Sequence, residues 1–246
     1  MVLFLKKVYY KIKRILSYKT RNNEYDFNIS NPLGGNGERV DIQLNNAVSF
    51  DMMDMYQKSH WRRYEFAKEI ITQNDVCGDF ACGTGYGSIM LSDKASFVTG
   101  ADLNATVIAA IRMRYDRFKT VTFLNTDLLD LTFKNHFDSI ISFETLEHFD
   151  EANIIQLLAI FSKALKPNGK LIFSTPYMQE ESEAAIKMGF HLTFYISEEK
   201  IKNWFQEAGF QIEIINYQNY DTHIIGSDPG KKEFIIGVAS KQKINA

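Results

Sequence analysis

From Val76 onward the apolar positions fall into short, nearly continuous runs separated by longer stretches of helical spacing. Runs at 75–81, 97–102, 121–126, 137–143 and 169–175 read as strands. Stretches at 86–93, 104–118, 151–165 and 197–208 read as helices. Strands apolar at nearly every position are those of a parallel sheet covered on both faces. Ahead of this rhythm, Met52 to Thr72 reads as one or two helices with Phe66, Ile70 and Ile71 on one side. The rhythm breaks at the end, where Phe210–Tyr217 and Glu233–Ala239 are joined by a loop containing Ser227-Asp228-Pro229-Gly230, with no helix between them. The expectation is an α/β fold: a doubly wound, mostly parallel, seven-stranded sheet closed by an antiparallel hairpin.

The first 46 residues read differently. Residues 2–17 place Leu5, Val8, Ile12 and Ile15 on one helical stripe with lysines and arginines around it. A helix on an anionic membrane surface, a helix docked on this chain or a partner, and a frayed end all fit that pattern. Residues 17–46 are polar and broken by Asn31-Pro32 and Gly34-Gly35-Asn36-Gly37. The expected division is a basic helix and linker over 1–46 and a main domain over 47–246.

Charge sharpens this division. The formal net charge of −2 conceals seven basic and no acidic residues in 1–23, which leaves 21 basic against 30 acidic residues in the remainder. An acidic body argues against a nucleic-acid-binding face. No apolar run approaches the ~20 residues of a membrane span, and no signal-peptide cleavage pattern is evident. Cys77 and Cys82 fall in a core segment without metal-ligand spacing, so buried free thiols in a reducing, cytoplasmic compartment are expected.

The chemistry centres on Val76-Cys77-Gly78-Asp79-Phe80-Ala81-Cys82-Gly83-Thr84-Gly85-Tyr86-Gly87, a strand, a tight turn and a helix start. Ala81, Gly83 and Gly85 let the backbone approach a ligand closely. The spacing is neither the dinucleotide fingerprint nor a P-loop. Asp79 would repel a pyrophosphate and attract an ammonium group. Asp102 ends the next strand, where a carboxylate can accept from a ribose diol, and Asn104 is placed to cap the following helix. Asp127 ends the third strand, where it can accept from an exocyclic amine while the Leu128 N–H serves a ring nitrogen.

In motif order and spacing, the run from Val76 to Pro176 resembles the class I S-adenosylmethionine-dependent methyltransferases, which have a Rossmann-like sheet. Asp79, Gly83 and Gly85 correspond to motif I, Asp102 to the ribose acid and Asp127 to the adenine acid. Ser142-Phe143-Glu144-Thr145-Leu146-Glu147-His148 resembles the segment after strand four, and Leu165-Lys166-Pro167-Asn168-Gly169-Lys170 the loop before strand five. Gly78 departs from the bulky apolar residue usual there, which predicts weaker local packing. The resemblance spans about two-thirds of the chain and implies S-adenosylmethionine as cofactor. Asp79, Ala81, Gly83, Gly85, Asp102, Leu103, Asp127, Leu128, Phe143 and Glu144 would hold it.

The segment after strand four lacks the Asn/Asp-Pro-Pro-aromatic tetrapeptide of base and amide methylation, which favours an oxygen of a small molecule. Ser59 to Ala67, Phe173-Ser174-Thr175-Pro176 and Phe190 to Tyr195 resemble bacterial methyltransferases of surface-polysaccharide synthesis. That likeness implies a sugar hydroxyl, nucleotide-activated or on a glycan, and work near the inner membrane face. His148 and His191 are the candidate catalytic bases; a structural bond for His148, and substrate binding or helix capping for His191, are the competing roles. His60, Arg63 and Tyr177 are candidate acceptor contacts, with His60 and Arg63 on one side of a helix facing a diphosphate or solvent. Glu144, Glu147 and Asp150 with His148 do not have a spacing that compels a metal, and none is expected. A nicotinamide-dependent oxidoreductase and a non-catalytic scaffold in a polysaccharide complex are the alternatives.

Overall fold

A computed structural model describes residues 39–44, 49–183 and 191–242. Seven strands form one sheet: β1 Val76–Phe80, β2 Phe97–Asp102, β3 Val121–Asn125, β4 Phe137–Phe143, β5 Leu165–Pro176, β6 Phe210–Gln218 and β7 Phe234–Lys241. Their order is β3-β2-β1-β4-β5-β7-β6. The first five strands are parallel, and β7 lies antiparallel between β5 and β6. This is the doubly wound sheet with a closing hairpin that the sequence pattern predicts.

The helices among the described residues are α1 Met55–Ile70, α2 Tyr86–Ser92, α3 Ala105–Arg114, α4 Glu151–Ala164 and α5 Glu198–Glu207. Successive strand residues point to opposite faces, and the core divides accordingly. Ile140, Leu171 and Phe173 meet α4 and α5 through Leu157, Phe161, Trp204 and Phe205. Ile141, Ile172 and Val238 face the other way, onto Tyr64 and Ala67 of α1 and Met90 of α2. Val107, Ile108 and Ile111 of α3 close that side with Phe123. Burial of such side chains contributes about 1.5–3 kcal/mol each.

Two boundaries differ from expectation by four residues. The helix expected over 104–118 ends at Arg114, because Tyr115 is buried and residues 115–120 turn the chain to bring Val121 beside Val98. The fifth strand begins at Leu165, ahead of the expected 169, through a pairing with Phe137 that the turn residues Pro167-Asn168-Gly169 obscure. Residues 39–44, placed by sequence in the linker, dock onto the domain. Ile42 is buried, Asp41 pairs with Arg114 at 2.7 Å, and the Val40 carbonyl accepts from Thr84 Oγ1. The basic stripe at 2–17 lies outside the described residues. Among the described residues, no helix is long and apolar enough to cross a membrane.

Candidate active site

Sheet order reverses direction at β1, which has β2 on one side and β4 on the other. In open α/β sheets, ligands bind outside the carboxyl ends of strands at such a reversal. The chain leaves β1 and β4 there through left-handed residues, Ala81 at φ 63° and Glu144 at φ 49°. Such non-glycine positions cost about 1–3 kcal/mol and cluster at functional sites. Gly83 and Gly85 are also left-handed, at 51° and 77°. A Cβ on Gly83 would meet no described residue within 4 Å, so the space above the turn is open among the described residues. A Cβ on Gly85 would sit 3.0 Å from the Phe123 ring, so this glycine serves the packing of the α2 start. Gly78 is explained by its own strand: the Phe80 ring lies 2.8 Å from where its Cβ would be. The Phe80 ring occupies the space that a side chain at position 78 would need.

Three acids stand along this edge. Asp79 is 1% exposed and accepts from Tyr64 Oη at 3.1 Å and Ser88 Oγ at 2.6 Å. Burial lifts its carboxyl to about 6 against the hold of those two donors, with Asp102 adding a smaller upward push. Asp102 accepts from Gly83 N at 3.0 Å on one oxygen and from Asn104 N at 2.9 Å on the other. It thereby ties the glycine turn to the end of β2, and each oxygen retains a further lone pair. Asn104 caps α3 by accepting from Val107 N. Leu103 is half-buried, with its carbonyl accepting from Asn125. Asp127 follows β3 and accepts from Leu129 N at 2.9 Å, opening the short 3-10 turn that holds buried Leu128.

The end of β4 carries the second half of the site. Phe143 is buried edge-on against Tyr64, 5.1 Å between ring centres. Glu144 accepts from Ser174 Oγ at 2.7 Å and pairs with Arg63 at 3.1 Å. Arg63 corrects the sequence reading. It is fully buried, donates from Nε to Gln218 Oε1 at 2.8 Å and lies over the Phe234 ring. Its charge lies in the protein interior beside Glu144 and not on a solvated helix face. His60, one turn away, is half-buried, and burial with the Arg63 charge holds its pKa well below 6.5. Tyr177 lies just past β5, with its ring against Tyr217.

The two candidate histidines come together. His148 and His191 meet edge-to-face with ring centres 5.2 Å apart. The Glu147 carbonyl accepts from Leu192 N at 2.7 Å and Thr193 N at 3.2 Å, and Thr193 Oγ1 donates to the Phe149 carbonyl. These bonds fasten the second histidine's segment to the first. Glu147 is 1% exposed and takes a bond from Thr175 Oγ1; burial, then Glu144, push its carboxyl well above the ordinary range. Sequence reasoning gave no role to Tyr64, Ser88, Gln179 or Gln218. Tyr64 and Ser88 had one available signal, a polar group on each helix flanking the glycine turn.

Residues 78–169 match the family model described as "Methyltransferase domain". A probable S-adenosylmethionine-dependent methyltransferase of Mycolicibacterium smegmatis is 29% identical over 126 residues, 49% of this chain and 47% of the relative. A Mycobacterium tuberculosis protein of the same description is 28% identical over 128 residues, 51% of this chain and 44% of the relative. The chain thus spans less than half the length of these curated relatives. The N-methyltransferase NodS of Bradyrhizobium japonicum, solved with S-adenosylhomocysteine, superposes with a TM-score of 0.61 at 15% identity, over 81% of this chain and 94% of NodS.

Fold and sequence therefore point to one class: the sheet is that of the solved methyltransferase NodS, and residues 78–169 are similar to methyltransferase domains. The residues present fit S-adenosylmethionine. The space above Gly83 is open, and Asp102 and Asp127 stand at the ends of the next two strands.

Proposed function

We propose that this chain is an S-adenosylmethionine-dependent O-methyltransferase acting on a hydroxyl of a small molecule or sugar, either a nucleotide-activated sugar or a surface glycan. The observation that carries the reading is the Glu147–His148–His191 cluster past the end of β4, on the same sheet edge as the cofactor acids. In this reading Asp79 receives the cofactor's ammonium group, Asp102 with Leu103 the ribose, and Asp127 with Leu128 the adenine. Phe143 and Glu144 wall the site, and His60 and Tyr177 border the acceptor. S-adenosylmethionine supplies an electrophilic methyl carbon, so the protein's main task is alignment. The acceptor oxygen's electron pair forms the new bond, the carbon–sulfur pair stays on sulfur, and the hydroxyl proton leaves toward the imidazole pair. A basic stripe at 2–17 would hold the enzyme at the cytoplasmic face of a membrane whose glycans it modifies.

The test is turnover of labelled cofactor with purified protein against a panel of sugar nucleotides and glycans. Label appearing in a quinol, lipid or protein and in no sugar would refute the sugar acceptor. His148→Ala should lose most turnover while retaining affinity for S-adenosylhomocysteine.

A further inference from the structure

We propose that Glu147, His148 and His191 bind one divalent transition-metal ion, of the manganese or zinc kind, beside the acceptor position. One carboxylate oxygen and one nitrogen from each imidazole all lie within 4.8 Å of one another. Ligands held about 2.1 Å from one tetrahedral ion stand ~3.4 Å apart, so each pair has at most about 1.4 Å to close, within reach of side-chain rotation.

A second, independent observation marks the position. Glu147 is 1% exposed, and while Oε2 takes the Thr175 hydroxyl at 3.1 Å, Oε1 is buried without a hydrogen bond among the described residues. A buried carboxylate oxygen left in that condition costs about 1–3 kcal/mol or more unless something positive meets it.

The surroundings orient the ligands as metal sites do. His191 Nδ1 lies 2.7 Å from Gln179 Oε1, an acceptor, so Nδ1 carries the proton and Nε2 presents its lone pair. The backbone bonds from Leu192 and Thr193 to the Glu147 carbonyl fix the distance between the two imidazole segments. Two imidazoles and one carboxylate favour manganese, iron, cobalt or zinc over magnesium or calcium, which prefer oxygen ligands. Three protein ligands leave positions open for an acceptor hydroxyl.

The ion's role rests on the O-methylation reading, but the site itself does not. With an ion held there, both imidazoles would serve as ligands, and in place of their role as proton acceptors the ion's positive charge would favour loss of the acceptor's hydroxyl proton to solvent.

The experiment uses the full chain stripped with chelator, titrated with manganese chloride by electron paramagnetic resonance and with zinc chloride by calorimetry. One ion per chain is expected. Glu147→Gln and His191→Ala should each weaken binding at least about tenfold. Retained S-adenosylhomocysteine binding in a thermal melt shows that each variant is folded. Absence of manganese and zinc binding in the wild type, or binding unchanged in folded His191→Ala, overturns the site. Metal binding without methylation of any hydroxyl compound leaves the site standing and refutes the proposed function. Turnover unaffected by chelation overturns the ion's catalytic role and returns the proton to the imidazoles.

Discussion

Asp79 offers the sharpest handle on the cofactor half of the site. Its carboxyl is raised from 3.8 to about 6, chiefly by burial. A shift of about two units corresponds to roughly 3 kcal/mol favouring the protonated group in the folded state. The sign follows: this contribution to stability is fully present below pH 3.8 and is lost as pH rises through about 6. An ammonium group arriving beside Asp79 requires the ionised form. By that titration, about nine-tenths of the protein is competent at pH 7 and about one-tenth at pH 5. Affinity for S-adenosylhomocysteine, measured by calorimetry, should therefore fall about tenfold between pH 7 and pH 5. Asp79→Asn should bind about tenfold more weakly or worse at pH 7, with the Asp79 step absent from its profile. Glu147 is also raised by burial but retains its titration in this variant, so the difference between profiles isolates Asp79. A wild-type affinity constant from pH 5 to pH 8, or an asparagine variant binding as tightly as wild type, would refute the argument.

Further outcomes follow from the same geometry. Gly83→Ala should cost only about 1–2 kcal/mol, from its left-handed backbone, yet lose most S-adenosylhomocysteine affinity in calorimetry, because the methyl enters the open space above the turn. Gly87→Ala should unfold the domain in a thermal melt, since its Cβ would stand 1.9 Å from the Tyr64 ring. Arg63→Met should lower stability by about 3–5 kcal/mol in a urea titration, because Glu144 and Gln218 lose a buried partner. Unchanged stability with lost acceptor affinity would instead restore a ligand role for Arg63. Asp102→Ala should abolish S-adenosylhomocysteine binding and cost about 1–3 kcal/mol for each backbone N–H it strands, at Gly83 and Asn104, in the same titration.

The sheet was legible because its signal is local. Continuous apolar runs marked parallel strands, and Phe210 and Phe234 opened the antiparallel pair without a helix between them. The acids were legible for a related reason: Asp79, Asp102 and Asp127 end or follow successive strands, so chain rhythm alone puts them on one edge. Arg63 shows where that reasoning stops. Helical spacing fixed its side relative to His60, but not that this polar side turns inward to Glu144 and Gln218. The meeting of His148 with His191 was illegible as well. It depends on two amides donating to the Glu147 carbonyl from 45 and 46 positions along the chain, which leaves no mark in periodicity. Ala81 and Glu144 carried a weaker signal still, since left-handed geometry at ordinary side chains is set by the turn around them.

The bracket around Arg63 also imposes an order on synthesis. Its guanidinium emerges 155 residues ahead of the Gln218 amide that receives it, and the Phe234 ring beneath it comes later still. Until the last two strands are made, Arg63 can pair with Glu144 but lacks the Gln218 acceptor and the Phe234 ring. The closing hairpin therefore acts as a latch on the whole domain. A chain lacking residues 210–242 should stay loosely collapsed, with helices formed and side chains unlocked.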